Sequence, residues 1–248
     1  MKFTKQNLLK LIVGFAVLGL AANLRAQTTP GKAVVRALKG SSTFSTAGSA
    51  PAPLKVNSVL YSGTTIKTGR DSQVDLFLGN SAGLVRVTEN TTLSLDKLAF
   101  TETGADTVVE VQLNLPDGTI LGNVNKLSAA SKYEVKVPNG VAGIRGTQYR
   151  INSSAYVVLL NGSLIMVYVP SGGNPTPYPL FAPPAQYFSP LEGVKPAPDE
   201  LISELRKQFG SGTLPPGPPA DHPPGLINPP GNPTIFIEPG TGRPTTEH

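Results

Sequence analysis

The chain has 248 residues, 39% of them hydrophobic and 6% aromatic, with neither cysteine nor tryptophan. The missing cysteine excludes disulfides, thiolate metal ligands and a cysteine-linked lipid anchor, so burial alone must hold the fold. The formal charge of +5 comes mostly from Lys2, Lys5, Lys10 and Arg25; beyond residue 26 there are 17 cations against 16 anions, and no basic patch argues for nucleic acid.

Residues 1–26 read as an export signal. A basic start leads into the 12-residue apolar run Leu11–Ala22, and a short polar exit ends at Ala26. A bilayer span needs about 20 apolar residues, so the run is too short to cross comfortably. Cleavage after Ala26 is expected, leaving no stable membrane span in an exported product.

From Ala33 onward the pattern is that of strands. Ala33–Leu38 and Ser42–Thr46 are expected to form a hairpin across Lys39-Gly40-Ser41, and Ala47–Pro53 a loop. Leu54–Tyr61 and Thr64–Thr68 follow as short runs bounded by Gly63 and Gly69. Val74, Leu76 and Leu78 alternate with Asp75 and Phe77, which marks a strand with one buried face. Strands are also expected around Leu84–Val87 and Leu93–Leu95, with a loop over Phe100–Asp106. Val109, Val111, Leu113 and Leu115 alternate most cleanly of all. Pro116-Asp117-Gly118 is expected to turn this strand back into Thr119–Leu127.

Lys132–Met166 is the most informative stretch. Tyr133, Val135 and Val137 alternate with Glu134 and Lys136, and Pro138-Asn139-Gly140 breaks the strand. Gly143, Ile144, Arg145, Gly146 and Thr147 lead into a further strand through Tyr149 and Ile151. Asn161-Gly162 is a strong two-residue hairpin signal, with Ser163–Val169 as the return strand. Many short strands without a long helix argue an all-β domain; pattern alone leaves sandwich, barrel and coil of strands open.

Twenty of the 25 prolines lie between Pro170 and Pro244. Proline lacks a ladder donor, so residues 170–248 are expected to leave the sheet as a proline-rich, largely disordered tail. One short helix is expected at 199–209, capped by Asp199 and apolar at Leu201, Ile202, Leu205 and Phe209. Ile235, Phe236 and Ile237 form an isolated apolar triplet able to dock.

The segment from Val137 resembles the closing part of the FecR domain family, through Val137, Pro138, Gly143, Ile144, Arg145, Gly146, Thr147, Tyr149 and Gly162. The family's middle portion is matched at Gly63, Ile66, Thr68, Gly69, Val74, Leu76, Leu78, Leu84 and Val87. Gly79-Asn80-Ser81 departs from the acidic residue and glycine usual at that turn. The resemblance covers about Ala33–Val169. It implies a compact solenoid-like or roll-like stack of short strands over residues 28–169, followed by the tail. The best-known members combine an inner-membrane helix, a cytoplasmic part that holds a sigma factor and an outer part that reads a TonB-dependent transporter. This chain matches the periplasmic β module without the other two parts.

Chemistry has few places to reside. His222 and His248 both fall in the tail, so neither a Ser-His-Asp arrangement nor a metal site suggests itself, and no cofactor is expected. Asp71 and Asp75 are four residues apart, which along a strand is about 13 Å, too far for a glycosidase pair. Asp75 is expected either in solvent or against Arg145. Pro138, Gly143, Arg145, Gly146, Thr147 and Gly162 read as structural: glycines at positive φ or close approach, Thr147 bonding back to the turn, and Arg145 holding it. The expected function is that of an exported, non-enzymatic protein-interaction or scaffolding module in the periplasm or beyond, with an envelope protein as partner. The alternative is a glycan- or ligand-binding surface protein using Tyr149, Tyr156, Tyr168, Tyr178 and Tyr187 as platforms.

Overall fold

Short segments with one apolar face can bury it only by pairing side by side, and here they pair into one curled half-barrel sheet. A computed structural model describes residues 28–103 and 106–210, which hold seventeen strands and one helix. The expected signal, both histidines, the apolar triplet and the tail beyond residue 210 lie outside the described residues.

Two branches of the sheet converge on one long hairpin. The first runs through β4 (Ala52–Pro53), β3 (Ser42–Thr46), β6 (Thr64–Thr68), β9 (Thr92–Glu102), β10 (Thr107–Asp117) and β12 (Lys132–Val137), with β1 (Thr28–Pro30) beside the far half of β9. The second runs through β5 (Val59–Leu60), β2 (Ala33–Lys39), β7 (Gln73–Gly79), β8 (Gly83–Val87) and β11 (Thr119–Asn123). Both branches end on the same edge of β13 (Gly140–Asn152), β12 on its first half and β11 on its second. β14 (Val157–Tyr168) takes the other edge. Every pairing is antiparallel except β10 with β12.

The curl wraps one apolar core. Val74, Leu76 and Leu78 of β7 meet Leu93 and Leu95 of β9, Val109–Leu115 of β10 and the Tyr133, Val135, Val137 row of β12 in a single buried cluster. The expected all-β, roll-like stack is the observed architecture. The phase of every alternation is set by which face meets this cluster.

Two expected hairpins are instead crossings between branches. β2 pairs with β5 and β7, whereas the following β3 pairs with β4 and β6. β10 pairs with β9 and β12, whereas the following β11 pairs with β8 and β13. The chain crosses at Gly40 (φ 74°) and at Gly118 (φ 91°). A side chain at Gly40 would run into Ser72, and one at Gly118 into Thr91. Those two hydroxyls grip the crossing backbone: Ser41 N–H donates to Ser72 Oγ at 2.9 Å and Thr119 N–H to Thr91 Oγ1 at 3.0 Å. Sequence neighbours therefore land in different branches because a glycine corner is pinned there. The loop expected over Phe100–Asp106 is also shorter than read, since β9 runs on to Glu102.

The sheet does not end at Val169. β15 (Thr176–Ala182) and β16 (Gln186–Ser189) both pair with β14, and β17 (Gly193–Pro196) pairs with β16. The prolines fit because of their phase. Pro177, Pro179 and Phe181 alternate along β15, and the Phe181 N–H turns away from β14 to Gln186 Oε1 at 2.8 Å. Positions 177 and 179 share that outward direction, where a missing N–H breaks no ladder bond. The helix α1 (Asp199–Gly210) follows, with Asp199 and Glu200 in its first turn and Lys207 in its last, as the helix dipole favours.

Tyr133 and Tyr149 are wholly inside the core. Tyr149 lies over its cross-strand partner Gly122, where any side chain would collide with the ring. Burial pushes both phenols well above the usual value of 10, and the neighbouring Tyr149 raises Tyr133 further. The folded state thus holds two protons that the unfolded chain gives up near pH 10. Their contribution to stability is complete below that pH and is lost as pH climbs above it. Absorbance titration of the seven tyrosines should show two that ionise only with unfolding. Replacing both with phenylalanine should flatten the alkaline loss of stability. Seven phenols titrating together in a folded chain would contradict the burial.

Candidate functional site

The long hairpin β13–β14 must serve two branches at once, and it does so by bulging. Its register shifts between Ile144 and Thr147 and again between Gln148 and Tyr149. Gly146 (φ 80°) and Gly162 (φ 88°) face each other across this break. A β-carbon at Gly146 would sit 2.8 Å from Lys126 Cα, and one at Gly162 would overlap the Gly146 carbonyl. Thr147 exchanges both backbone hydrogen bonds with Val124, at 2.9 and 3.0 Å. Nearby, Asn125 Nδ2 donates to the Asn80 carbonyl, tying in the β7–β8 turn. A bulge bends its strand, and this one marks the passage from the β12 partner to the β11 partner.

The family-motif residues occupy different places in this corner. Pro138 and Asn139 form the link between β12 and β13, with Val137 opposite Gly140. Gly146 and Gly162 meet the expectation of positive φ and close approach. Gly143 meets neither: its φ is not positive and its nearest contact for an added β-carbon is 3.9 Å away. Thr147 is fully buried, but its hydroxyl has no hydrogen-bond partner among the described residues, so the backbone makes the contact and not the side chain. Arg145 is exposed and, among the described residues, reaches only the Ala129 carbonyl, at 3.5 Å. Asn161-Gly162 is not a hairpin end. It lies inside β14, and the chain reverses at Asn152–Tyr156, where Asn152 Oδ1 accepts from the Ser154 and Tyr156 N–H groups. A glycine with positive φ serves a bulge as well as a turn, which is why the sequence signal misplaced the reversal.

Asp75 meets neither solvent nor Arg145. It is 1% exposed and pairs with Arg86, itself 2% exposed, through two hydrogen bonds of 2.7 and 2.8 Å. The two are direct cross-strand neighbours in the β7–β8 hairpin. A turn centred on Gly79–Gly83 would by itself set Asp75 opposite Val87; the register shift between Phe77 and Gly79 brings Arg86 there instead. Their outer face of the sheet is covered by α1. Leu205 and Phe209 pack onto Leu84, Leu121 and Val158, and Arg86 Nη1 donates to the Gln208 carbonyl at the helix C-terminus. Arg86 thus satisfies an orphan carbonyl and neutralises Asp75 at once. Each of the two helix side chains contributes about 1.5–3 kcal/mol of burial, enough to seat the helix.

Beside α1 lies an open cleft of about 460 Å³ lined by Lys39, Asp71, Glu89, Arg86, Arg150 and Gln208. Asp71 is exposed in a left-handed turn (φ 54°), with its N–H bonded to Glu89 Oε2 at 2.8 Å. Asp71 and Asp75 therefore occupy opposite environments, one in solvent and one committed to Arg86. Among the described residues no group of His, Cys, Asp or Glu is arranged to hold a metal. The candidate tyrosines form no open platform. Tyr149 is in the core, Tyr156 stacks on Tyr187 at 5.6 Å, and Tyr168 and Tyr178 pack on Phe188.

Two measurements test this arrangement. Gly146→Ala should destabilise by about 1–3 kcal/mol through backbone strain, while Gly143→Ala should leave the melting midpoint unchanged; equal effects would remove the bulge assignment. Arg86→Met should cost about 3–5 kcal/mol by stranding the Asp75 charge and should speed amide exchange across α1. The pair Asp75→Leu with Arg86→Met should recover much of that loss.

The sequence model of the family described as FecR protein matches residues 64–164. No curated protein and no solved structure matches the chain. The matched segment runs from β6 to the bulge in β14 and contains the whole glycine-built corner. Over residues 64–164 the chain is therefore similar to the FecR protein family.

Proposed function

We propose that this chain is an exported, non-enzymatic FecR-type module that binds a protein partner in the bacterial cell envelope. The observation that carries the reading is the FecR match itself, over the segment that builds the bend of the fold. The use of polar groups supports it. The buried ion pair Asp75–Arg86 anchors a helix, and the motif glycines Gly146 and Gly162 serve backbone geometry. Arg145 and Pro138 are the motif side chains left in solvent. No helix among the described residues is long and apolar enough to cross a membrane, which is compatible with release after cleavage at Ala26. Of the tyrosines on which glycan binding would rest, Tyr149 is closed off in the core, and the other four are half-buried and each in contact with another ring.

The test is affinity capture from envelope extracts with the full chain as bait and Arg145→Glu beside it. A saturable envelope protein, retained by the parent and diminished about tenfold or more by the charge reversal, is the expected result. Recovery of no specific protein, or labelling of the β domain by an active-site serine probe with multiple turnovers, would overturn the proposal.

A further inference from the structure

The registers leave five strands with a partner on one side only: β1, β4, β5, β15 and β17. Such edges are templates for another strand and are normally blunted. Four of the five contain proline, at Pro30, Pro53, Pro177 with Pro179, and Pro196. β5 contains none. It is also where apolar surface gathers. Val56, Val59 and Tyr61 are 49%, 44% and 56% exposed, three of the five large hydrophobic side chains exposed among the described residues. Leu60 between them is buried, so Val59 and Tyr61 point outward together.

A groove of about 850 Å³ opens beside this edge, with Tyr61, Phe77, Phe100, Lys32, Arg36 and Glu102 in its wall. Its charge is unbalanced. Lys32, Arg36 and the nearby Lys55 enter no ion pair among the described residues, whereas Lys97, Lys132, Lys136 and Lys195 each meet a carboxylate. Arg36 instead lies over the Phe77 ring, 5.0 Å from its centre, which holds the guanidinium at the groove wall.

We infer that the unguarded edge of β5 accepts an extended segment of a partner protein as an added strand, one whose every second residue, all on the face shared by Val59, Tyr61, Lys32 and Arg36, is apolar at the centre and a carboxylate at the ends. Main-chain bonds to β5 would supply the pairing, apolar side chains would lie on Val59 and Tyr61, and carboxylates would meet Lys32 and Arg36. The inference rests on the reading of the chain as a partner-binding module and names the face and the chemistry that reading leaves open.

The test uses the full chain and two labelled synthetic heptapeptides with valine at positions 3 and 5, threonine at 2, 4 and 6, and either glutamate or lysine at 1 and 7. The glutamate peptide should bind saturably and slow amide exchange at Val59–Tyr61. Tyr61→Glu should weaken it about tenfold or more, as should Lys32→Glu with Arg36→Glu. The charge-reversed variant should take the lysine peptide instead, a gain that misfolding would not produce. Equal binding of the two peptides, or no loss in Tyr61→Glu, would overturn the inference. So would prior occupation of the edge. Truncation after Gly210 that newly exposes Val59–Tyr61 to exchange would assign it to residues 211–248, and a Tyr61-dependent dimer would assign it to a second copy. An envelope partner captured equally by the parent and by Tyr61→Glu would sink this inference and leave the proposed function standing.

Discussion

A single hairpin has to lie against two different neighbours along one of its edges, and that demand governs the rest of the molecule. β12 needs the first half of β13 and β11 needs the second. A straight strand cannot turn from one layer to the other within a few residues. The break at Gly146, answered by Gly162 on β14, provides the bend, and only residues without a β-carbon let the two backbones approach so closely. Once the hairpin bends, the two branches face each other, and the alternating rows of β7, β9, β10 and β12 meet in one core.

Much of this was legible in the sequence because period-two alternation survives whenever one face is buried. Val109–Leu115 and Tyr133–Val137 fall in the core in the phase their sequence implies. What was not legible is which strand lies beside which. Gly40 and Gly118 resemble ordinary turn residues, yet each sends the chain into the other branch, because the deciding contacts are with Ser72 and Thr91, far away in sequence. Pairing is a long-range choice, and composition at the turn does not encode it.

The candidate site was legible to a similar degree. Gly146 and Gly162 were identified by type, and the resemblance located them, but Gly143 proved sterically free and Thr147 contributes its backbone alone. The partnership of Asp75 with Arg86 was missed because it depends on register within the β7–β8 hairpin, and its role depends on α1, more than a hundred residues later. A buried arginine that closes both a carboxylate and a helix end has no local signature. The proline content after Val169 misled for an instructive reason. Composition counts prolines, whereas a sheet asks only in which direction each missing N–H would have pointed.

That direction has a further meaning at β15. With Pro177 and Pro179 lacking hydrogens to donate and Phe181 already engaged by Gln186, this margin offers no N–H donor from those three positions to a newcomer. Lateral accretion of identical molecules, each adding its rim to the next, meets a chemical stop on this flank. The body is therefore polar as a building unit: one flank is closed to growth by its own imide nitrogens, and any assembly it enters must begin from somewhere else on its perimeter.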